Sequence, residues 1–323
     1  MTPPPNDESS RDLIADSLKG HRTDRPPIAP LIGKLAASIS QIPPKILLSN
    51  ATQLANSLEK AVRLFEHDIV INITDTTLIS EGLGASVDWD SENEAYRVTD
   101  PVSEGNIDDS HEITGGNRVS VALSAADQLV KRLSEDAAIY GVIPGPIVTA
   151  TDLTGQDDVL NEVRQSVTVG MGELARAYGR LSVDGLLILE DCSGVEQSSE
   201  VIGYVRDALE TTSNIADHYR LPVVFSSSNI TMEAVPEISN YVDAVFLELD
   251  DPGSRSLGKT SVGTGLTPEL LSKNPDEIYS EVKSMYQQYS AEGHFIASAR
   301  EIPQDTHPNK LHAVVEAVDD CAG

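Results

Sequence analysis

The sequence predicts a single closed (β/α)8 TIM barrel, an α/β fold, on three observations. Eight short, mostly apolar runs are spaced along 323 residues, helical apolar periodicities lie between most of them, and several runs end in turns rich in Gly, Pro, Ser or acid. Apolar strands alternating with amphipathic helices make a parallel sheet covered by helices. Eight such strands at this length favour closure over an open doubly wound sheet. No GxGxxG follows any run, which argues against a dinucleotide-binding fold.

Taken in order, residues 1–24 are polar and start Pro-rich, and read as a loose tail or an outer helix; residues 25–323 read as the barrel domain. Strands are predicted at Ile28 to Ile32, Ile69 to Ile73, Tyr140 to Val148, Gly185 to Leu189, Val223 to Phe225, Ala244 to Leu249, Thr260 to Val262 and Phe295 to Ser298. Helices follow from Leu54, Leu58, Val62 and Phe65, from Leu160, Val163, Val167 and Leu174, from Ile278, Val282 and Met285, and from Val314, Val315 and Val318. Residues 85–115 carry Asp88, Asp90, Glu92, Glu94, Asp108 and Asp109 with few apolar residues. That stretch reads as an acidic insertion, either a solvated loop or a hairpin (Ser86 to Trp89, then Tyr96 to Val98) over the barrel mouth. The organising stretch is Gly141 to Gly155, in which Pro144-Gly145-Pro146 delivers a rigid turn at a strand end and lets the backbone approach a neighbour closely.

Composition bounds the function. Acidic residues outnumber basic ones 51 to 23, a net charge of -28, and they are spread along the chain. Such a field repels nucleic acid and anionic membranes, and no apolar run approaches a membrane span. It suits solubility in concentrated salt, so a halophilic, cytoplasmic protein is expected, with no signal peptide in the polar N-terminus. The melting temperature should therefore climb from dilute buffer to several molar potassium chloride, because the Debye length falls from about 10 Å at 0.1 M to about 3 Å at 1 M. A flat profile would contradict this. Two cysteines, Cys192 and Cys321, make no disulfide framework. Cys192 reads as a buried filler, with a reactive thiol as the alternative. The seven histidines show no HExxH or HxH spacing and read as surface residues.

RPPIAPLIG (25–33), DIVINITDTTLISEGLG (68–84), GVIPGPIVTA (141–150), DGLLILEDCSG (184–194) and REIPQDTHPNKLHAVVEA (300–317) together resemble the uroporphyrinogen decarboxylase superfamily. That superfamily includes metal-free decarboxylases and zinc-dependent methyltransferases acting on methylated corrinoids. The resemblance implies a barrel with its pocket at the C-terminal ends of the strands, and a tetrapyrrole or corrinoid as small-molecule partner. A homodimer is left open.

The same resemblance marks the site residues. The methyltransferase zinc ligands would fall on Ser226, Ser228 and Arg300; hydroxyls are poor zinc ligands and a guanidinium is none. No metal and no cofactor are therefore expected. Asp75 falls where the decarboxylases keep an essential aspartate, and reads as catalytic, with capping of the following turn as the structural alternative. The first-loop arginine pair of the decarboxylases is replaced by apolar residues with only Lys34 nearby, their pocket tyrosine falls near Asp152, and their last-motif histidine falls on Arg300. Arg300 could hold a substrate carboxylate bidentately, or pair with Glu301, Glu190 or Asp191. Glu190 and Asp191 follow a strand and could do acid–base work or hold a divalent cation, or cap a helix. Ser226, Ser228 and Asn229 offer hydroxyl and amide groups to a ligand, with no His/Asp partner that would make a serine nucleophile. The reading is a metal-free tetrapyrrole decarboxylase, with a methyltransferase-like protein lacking its zinc ligands, or a non-catalytic tetrapyrrole or corrinoid binder, as alternatives.

Overall fold

The computed structural model describes residues 9–101, 113–115, 117–155, 160–248, 260–289 and 293–321. Asp108, Asp109 and Leu249 lie outside them. The elements in chain order are α1 (Ser10–Leu18), β1 (Ile28–Ala29), α2 (Lys34–Ser40), α3 (Pro44–Ser49), α4 (Ala51–Phe65), β2 (Ile69–Ile71), α5 (Leu78–Gly82), β3 (Ser86–Asp90), β4 (Ala95–Asp100) and α6 (Asn117–Leu133). There follow β5 (Ala138–Pro144), α7 (Pro146–Thr154), α8 (Leu160–Arg180), β6 (Gly185–Glu190), α9 (Ser199–Tyr219), β7 (Val223–Ser227), α10 (Val235–Ile238), β8 (Ala244–Leu247), β9 (Ser261–Gly265), α11 (Pro268–Ser272), α12 (Pro275–Tyr289), β10 (His294–Ala297) and α13 (Pro308–Asp319).

Eight parallel strands run β2-β5-β6-β7-β8-β9-β10-β1 and curl into a nearly closed (β/α)8 barrel, as the periodicities predict. All eight predicted runs carry a strand. The seam between β1 and β2 has no strand pairing. It is held by Asp68, whose N–H donates to the Ile28 carbonyl (3.0 Å) and whose Oδ2 accepts the Ile28 N–H (2.8 Å).

That Asp68 device repeats. Asp184 N–H donates to Ile139 O and its Oδ2 accepts Ile139 N–H, both at 2.8 Å. Asp243 does the same with Val223, again at 2.8 Å each way. Each aspartate stands just before a strand and satisfies an N–H at the start of the neighbouring strand, which the ladder would otherwise leave open. Two of the three are neutralised by a forked arginine. Arg25 donates to Asp68 at 2.7 and 2.8 Å, and Arg11 of α1 to Asp184 at 2.6 and 2.8 Å. Through Arg11, and through Ser261 Oγ donating to Ser17 O (2.8 Å), α1 lies across the N-terminal end of the barrel.

The core is Leu, Ile, Val and Ala, and it buries all four phenylalanines of the chain: Phe65, Phe225, Phe246 and Phe295. Inside the sheet two of the large rings, Tyr140 and Phe246, are matched by a missing side chain on a neighbouring strand. A Cβ on Gly185 would stand 2.1 Å from the Tyr140 ring, and one on Gly263 2.2 Å from Phe246. Phe246 in turn packs on Phe295 at 5.6 Å between centroids.

The run predicted as a strand from Tyr140 to Val148 ends at Pro144. Residues 147–149 are the first turn of α7, with Pro146 at its first position, where its lack of an N–H costs nothing. The acidic segment holds the hairpin β3–β4. Val87 faces Val98 and Trp89 faces Tyr96, the latter edge-on at 5.2 Å, and this apolar side packs towards the core.

His67 departs from the surface reading of the histidines. It is fully buried, and its Nδ1 has no hydrogen-bond partner. Burial pushes its proton affinity down to about 4, only partly opposed by Asp68. An unfolded histidine takes its proton near pH 6.5, so unfolding takes up a proton between those values. Its stability contribution is complete above pH 6.5 and should fall by about 3 kcal/mol as pH drops to 4. In paired urea melts at pH 7 and 4.5, His67→Phe should lose less on acidification than wild type. An equal loss in both would remove His67 as the cause.

Candidate functional site at the barrel mouth

The C-terminal strand ends carry an acidic ring closed on one side by the hairpin. After β2 the chain turns at Asp75, whose Oδ1 accepts Thr77 N–H (2.9 Å) and Thr77 Oγ1–H (2.8 Å), so the turn-capping contact exists. Its other oxygen meets the guanidinium of Arg118, in the first turn of α6. Arg118 also reaches Glu81 (3.3 Å) and the Thr77 carbonyl (3.3 Å), and lies under the Tyr96 ring at 4.3 Å. Asp75 and Arg118 are both buried. Arg118 went unread in the sequence: a single arginine at a helix start has no spacing that announces its partners.

Glu190, at the end of β6, is buried beneath the Pro-Gly-Pro turn. Its carboxylate accepts Ile147 and Val148 N–H (2.8 Å each) and Asp191 N–H (2.9 Å), and so caps α7. Burial pushes this carboxyl up to about 8 against those three donors. Gly145 is glycine because a Cβ there would stand 2.5 Å from the Glu190 carboxyl carbon. Glu301 plays a similar part across the seam: half-buried, it accepts Lys34 N–H (2.5 Å) and Thr74 Oγ1–H (2.9 Å), while Lys34 Nζ stands 3.4 Å from its second oxygen.

Asp152, on the last turn of α7, is the uncommitted member. It is mostly buried, and its Oδ2 has no hydrogen-bond partner. Burial, then the negative charge of Asp75, pushes its carboxyl up to about 7; Asp191 adds to this, while Arg97 and Arg118 oppose it. Asp152 thus stands within electrostatic reach of the acids on both flanks.

Asp191 is held the other way. Partial burial would raise it, but the Ser193 and Asn229 donors and the Arg300 charge bring it below the ordinary carboxylate range. Asn229 is fully engaged as a brace between the β6 and β7 loops: its Oδ1 accepts Cys192 N–H (2.9 Å) and Ser227 Oγ–H (3.1 Å), and its Nδ2 donates to Asp191 (2.5 Å) and Ser193 Oγ (2.6 Å). Ser226 is fully buried and donates to the Ala299 carbonyl (3.1 Å), whereas Ser228 is half-buried. Arg300 is half-exposed and pairs with Glu248 at the end of β8 (2.5 and 2.6 Å), not with Glu301, Glu190 or Asp191. Cys192 is buried, and burial followed by Glu190 and Asp191 pushes its thiol far up, so it is inert at neutral pH.

The hairpin is pinned over this ring by Lys34 Nζ donating to Asn93 O (3.3 Å), by Gln304 donating to Glu94, and by the Tyr96–Arg118 stack.

The family model described as Uroporphyrinogen decarboxylase (URO-D) matches residues 9–167 and 202–321. The chain belongs to the uroporphyrinogen decarboxylase family. Membership extends through α1, so the family's sequence pattern includes the helix beneath the barrel. A methyltransferase from Methanosarcina mazei shares the fold at a TM-score of 0.81 and 16% identity, over 97% of this chain and 98% of that one. A B12-independent methionine synthase from Shewanella sp. W3-18-1 matches at 0.52 and 15%, over 83% and 88%. A putative vitamin-B12 independent methionine synthase from Listeria monocytogenes matches at 0.52 and 11%, over 94% and 97%. At these identities the likeness speaks for the fold. Curated protein sequences give no match.

Two of the three residues that the resemblance sets against zinc ligands are engaged elsewhere. Ser226 is spent on a backbone carbonyl and Arg300 on Glu248, and no group of three or more His, Cys, Asp or Glu among the described residues is placed to hold a metal. No helix among the described residues is long and apolar enough to cross a membrane.

Proposed function

We propose that this member of the family is a metal-free acid–base enzyme, a decarboxylase of a tetrapyrrole-type substrate, with Asp152 moving the proton. The observation that carries this is Asp152 itself: a mostly buried carboxyl with a partnerless oxygen, poised near neutrality between Asp75 and Asp191. A general acid works best when its proton affinity lies near the working pH. In this chemistry the acid protonates a pyrrole carbon. The bond to the side-chain carboxylate then breaks, carbon dioxide leaves, and the bond electrons neutralise the ring cation. The resulting exocyclic carbon takes a second proton, and the ring carbon gives up the first, which restores the pyrrole. The acidic ring suits the cationic intermediate, since fixed negative charge aimed at developing positive charge lowers its energy. In this scheme Asp75, locked by Arg118, supplies that charge, and Arg300 exchanges Glu248 for a substrate carboxylate.

Uroporphyrinogen, incubated anaerobically with the protein in concentrated salt, should lose carboxyl groups stepwise, as read by chromatography of the oxidised porphyrins. Activity should fall as pH rises through about 7, because the protonated form of Asp152 is the donor. No loss of carboxyl groups, or stoichiometric zinc in the purified protein together with methyl transfer, would sink this reading.

A further inference from the structure

The base of the barrel holds a second polar recess, on the opposite side from the mouth. A cleft of about 480 Å³ lies between α1, the C-terminal end of α9 and the first residues of β5 to β8. That volume is within the ordinary span of small-molecule sites, roughly 300–1,000 Å³. Its apolar wall is Ile14, Leu18 and Leu221; its polar groups are Tyr140, Asp184, Asp217 and Asp243, with Arg11, Lys19 and Arg220.

The three strand-start aspartates give the cleft its meaning. Asp68 and Asp184 each carry a forked arginine. Asp243, the third of the set, makes the same backbone contacts to Val223 but stands exposed, and among the described residues it has no ion-pair partner. Lys19 reaches Asp16 instead, and Arg220 forms no ion pair among the described residues. Partial desolvation, and then Asp217, raise the Asp243 carboxyl above its ordinary range. A second observation is independent of the acids. The Tyr140 ring is fully buried inside the barrel and lines the same cleft, and its hydroxyl has no hydrogen-bond partner. A buried, unpaired phenol costs free energy unless something completes it.

We infer that this cleft binds a small organic cation bearing N–H donors, a guanidinium or alkylammonium, which fills at Asp243 the place that Arg25 and Arg11 fill at Asp68 and Asp184. Its charged end donates to Asp243 and to the Tyr140 oxygen, Asp217 adds attraction at the rim, and its alkyl part lies along Ile14, Leu18 and Leu221. The site is separate from the mouth and independent of the decarboxylase reading.

The test is calorimetric titration of the full chain with agmatine, a short alkyl chain bearing a guanidinium and an ammonium, at one fixed high concentration of potassium chloride. Saturable binding at one site per chain is expected. Asp243→Asn, which keeps an oxygen for the Val223 N–H, should weaken it roughly tenfold or more, as loss of a charge-assisted contact does. Tyr140→Phe should weaken it severalfold, and Glu210→Gln, an exposed acid on the middle of α9, should leave it unchanged. If Asp243→Asn does not fold, Leu221→Trp, which fills the cleft, takes its place and should abolish binding. Three results would overturn the inference: no saturable heat, equal loss in Glu210→Gln, or binding of tetramethylammonium, which has no N–H, as tight as that of agmatine.

Discussion

Arg118→Ala is expected to destabilise the protein by about 3–5 kcal/mol, the usual cost of removing one partner from a buried charge group. The guanidinium answers two carboxylates, Asp75 and Glu81, and the Thr77 carbonyl. Taking it away leaves Asp75 buried beside Glu81 with nothing between them. The same change deletes the stack under Tyr96, so the hairpin loses one of its ties to the mouth. Urea melts in concentrated salt measure the first effect, and the rate of proteolysis within β3–β4 measures the second. Arg118→Lys should recover part of the stability and little of the hairpin anchoring, because an ammonium lacks the planar fork. A loss below about 1 kcal/mol for Arg118→Ala would show that the group is solvated and that the mouth does not depend on it.

Asp152→Asn is expected to go the other way on stability while removing activity. Unfolded, this carboxyl ionises near pH 4; folded, it holds its proton up to about 7. Folding is therefore penalised increasingly as pH rises from 4 to 7, and fully above that. The substitution should leave stability nearly unchanged at pH 4 and raise it by about 2–4 kcal/mol at pH 8, the range allowing for the part of the side chain that reaches water. Turnover should fall by a factor on the order of a hundred or more, the usual worth of a positioned proton donor. A stabilised, inactive variant is the signature of a group kept at a cost for chemistry. A variant less stable than wild type at pH 8 would mark Asp152 as structural.

The barrel was legible in the sequence because its information is local: short apolar runs, helical periodicities and breaker residues. The error at Tyr140 to Val148 shows where locality ends. Ile147, Val148 and Thr149 have strand-like side chains, yet Glu190 takes the first N–H groups of α7, and nothing in residues 140–150 reveals an acid on the next strand. Pro146 was the readable hint, since proline favours the first position of a helix. At the site, family resemblance drew attention to Asp75, Asp152 and Arg300, and strand-end position and side-chain chemistry to Glu190, Asp191 and Asn229. The structure separates acids with committed oxygens, Asp75, Glu190 and Asp191, from Asp152 with an open one. That distinction, like the partners of Arg118, is a matter of three-dimensional neighbours. The aspartates before β2, β6 and β8, by contrast, were in plain view as His-Asp or Val-Asp ahead of apolar runs.

The seam at Asp68 also sets an order of events in folding. From β5 to β10 each strand pairs with the next in sequence, so these ladders can form over modest chain separations. β1 pairs with β10, Ile28 against Ile296, and so must wait for nearly the whole chain to be in place. Contacts so distant in sequence carry a large loop-closure entropy before they return any energy. Docking of β1 is then a late step, and the two-residue strand held by Asp68 and Arg25 is the first to let go. In native-state hydrogen exchange, the amide of Ile28 should open well before those of Val142 and Leu187, on strands held on both sides.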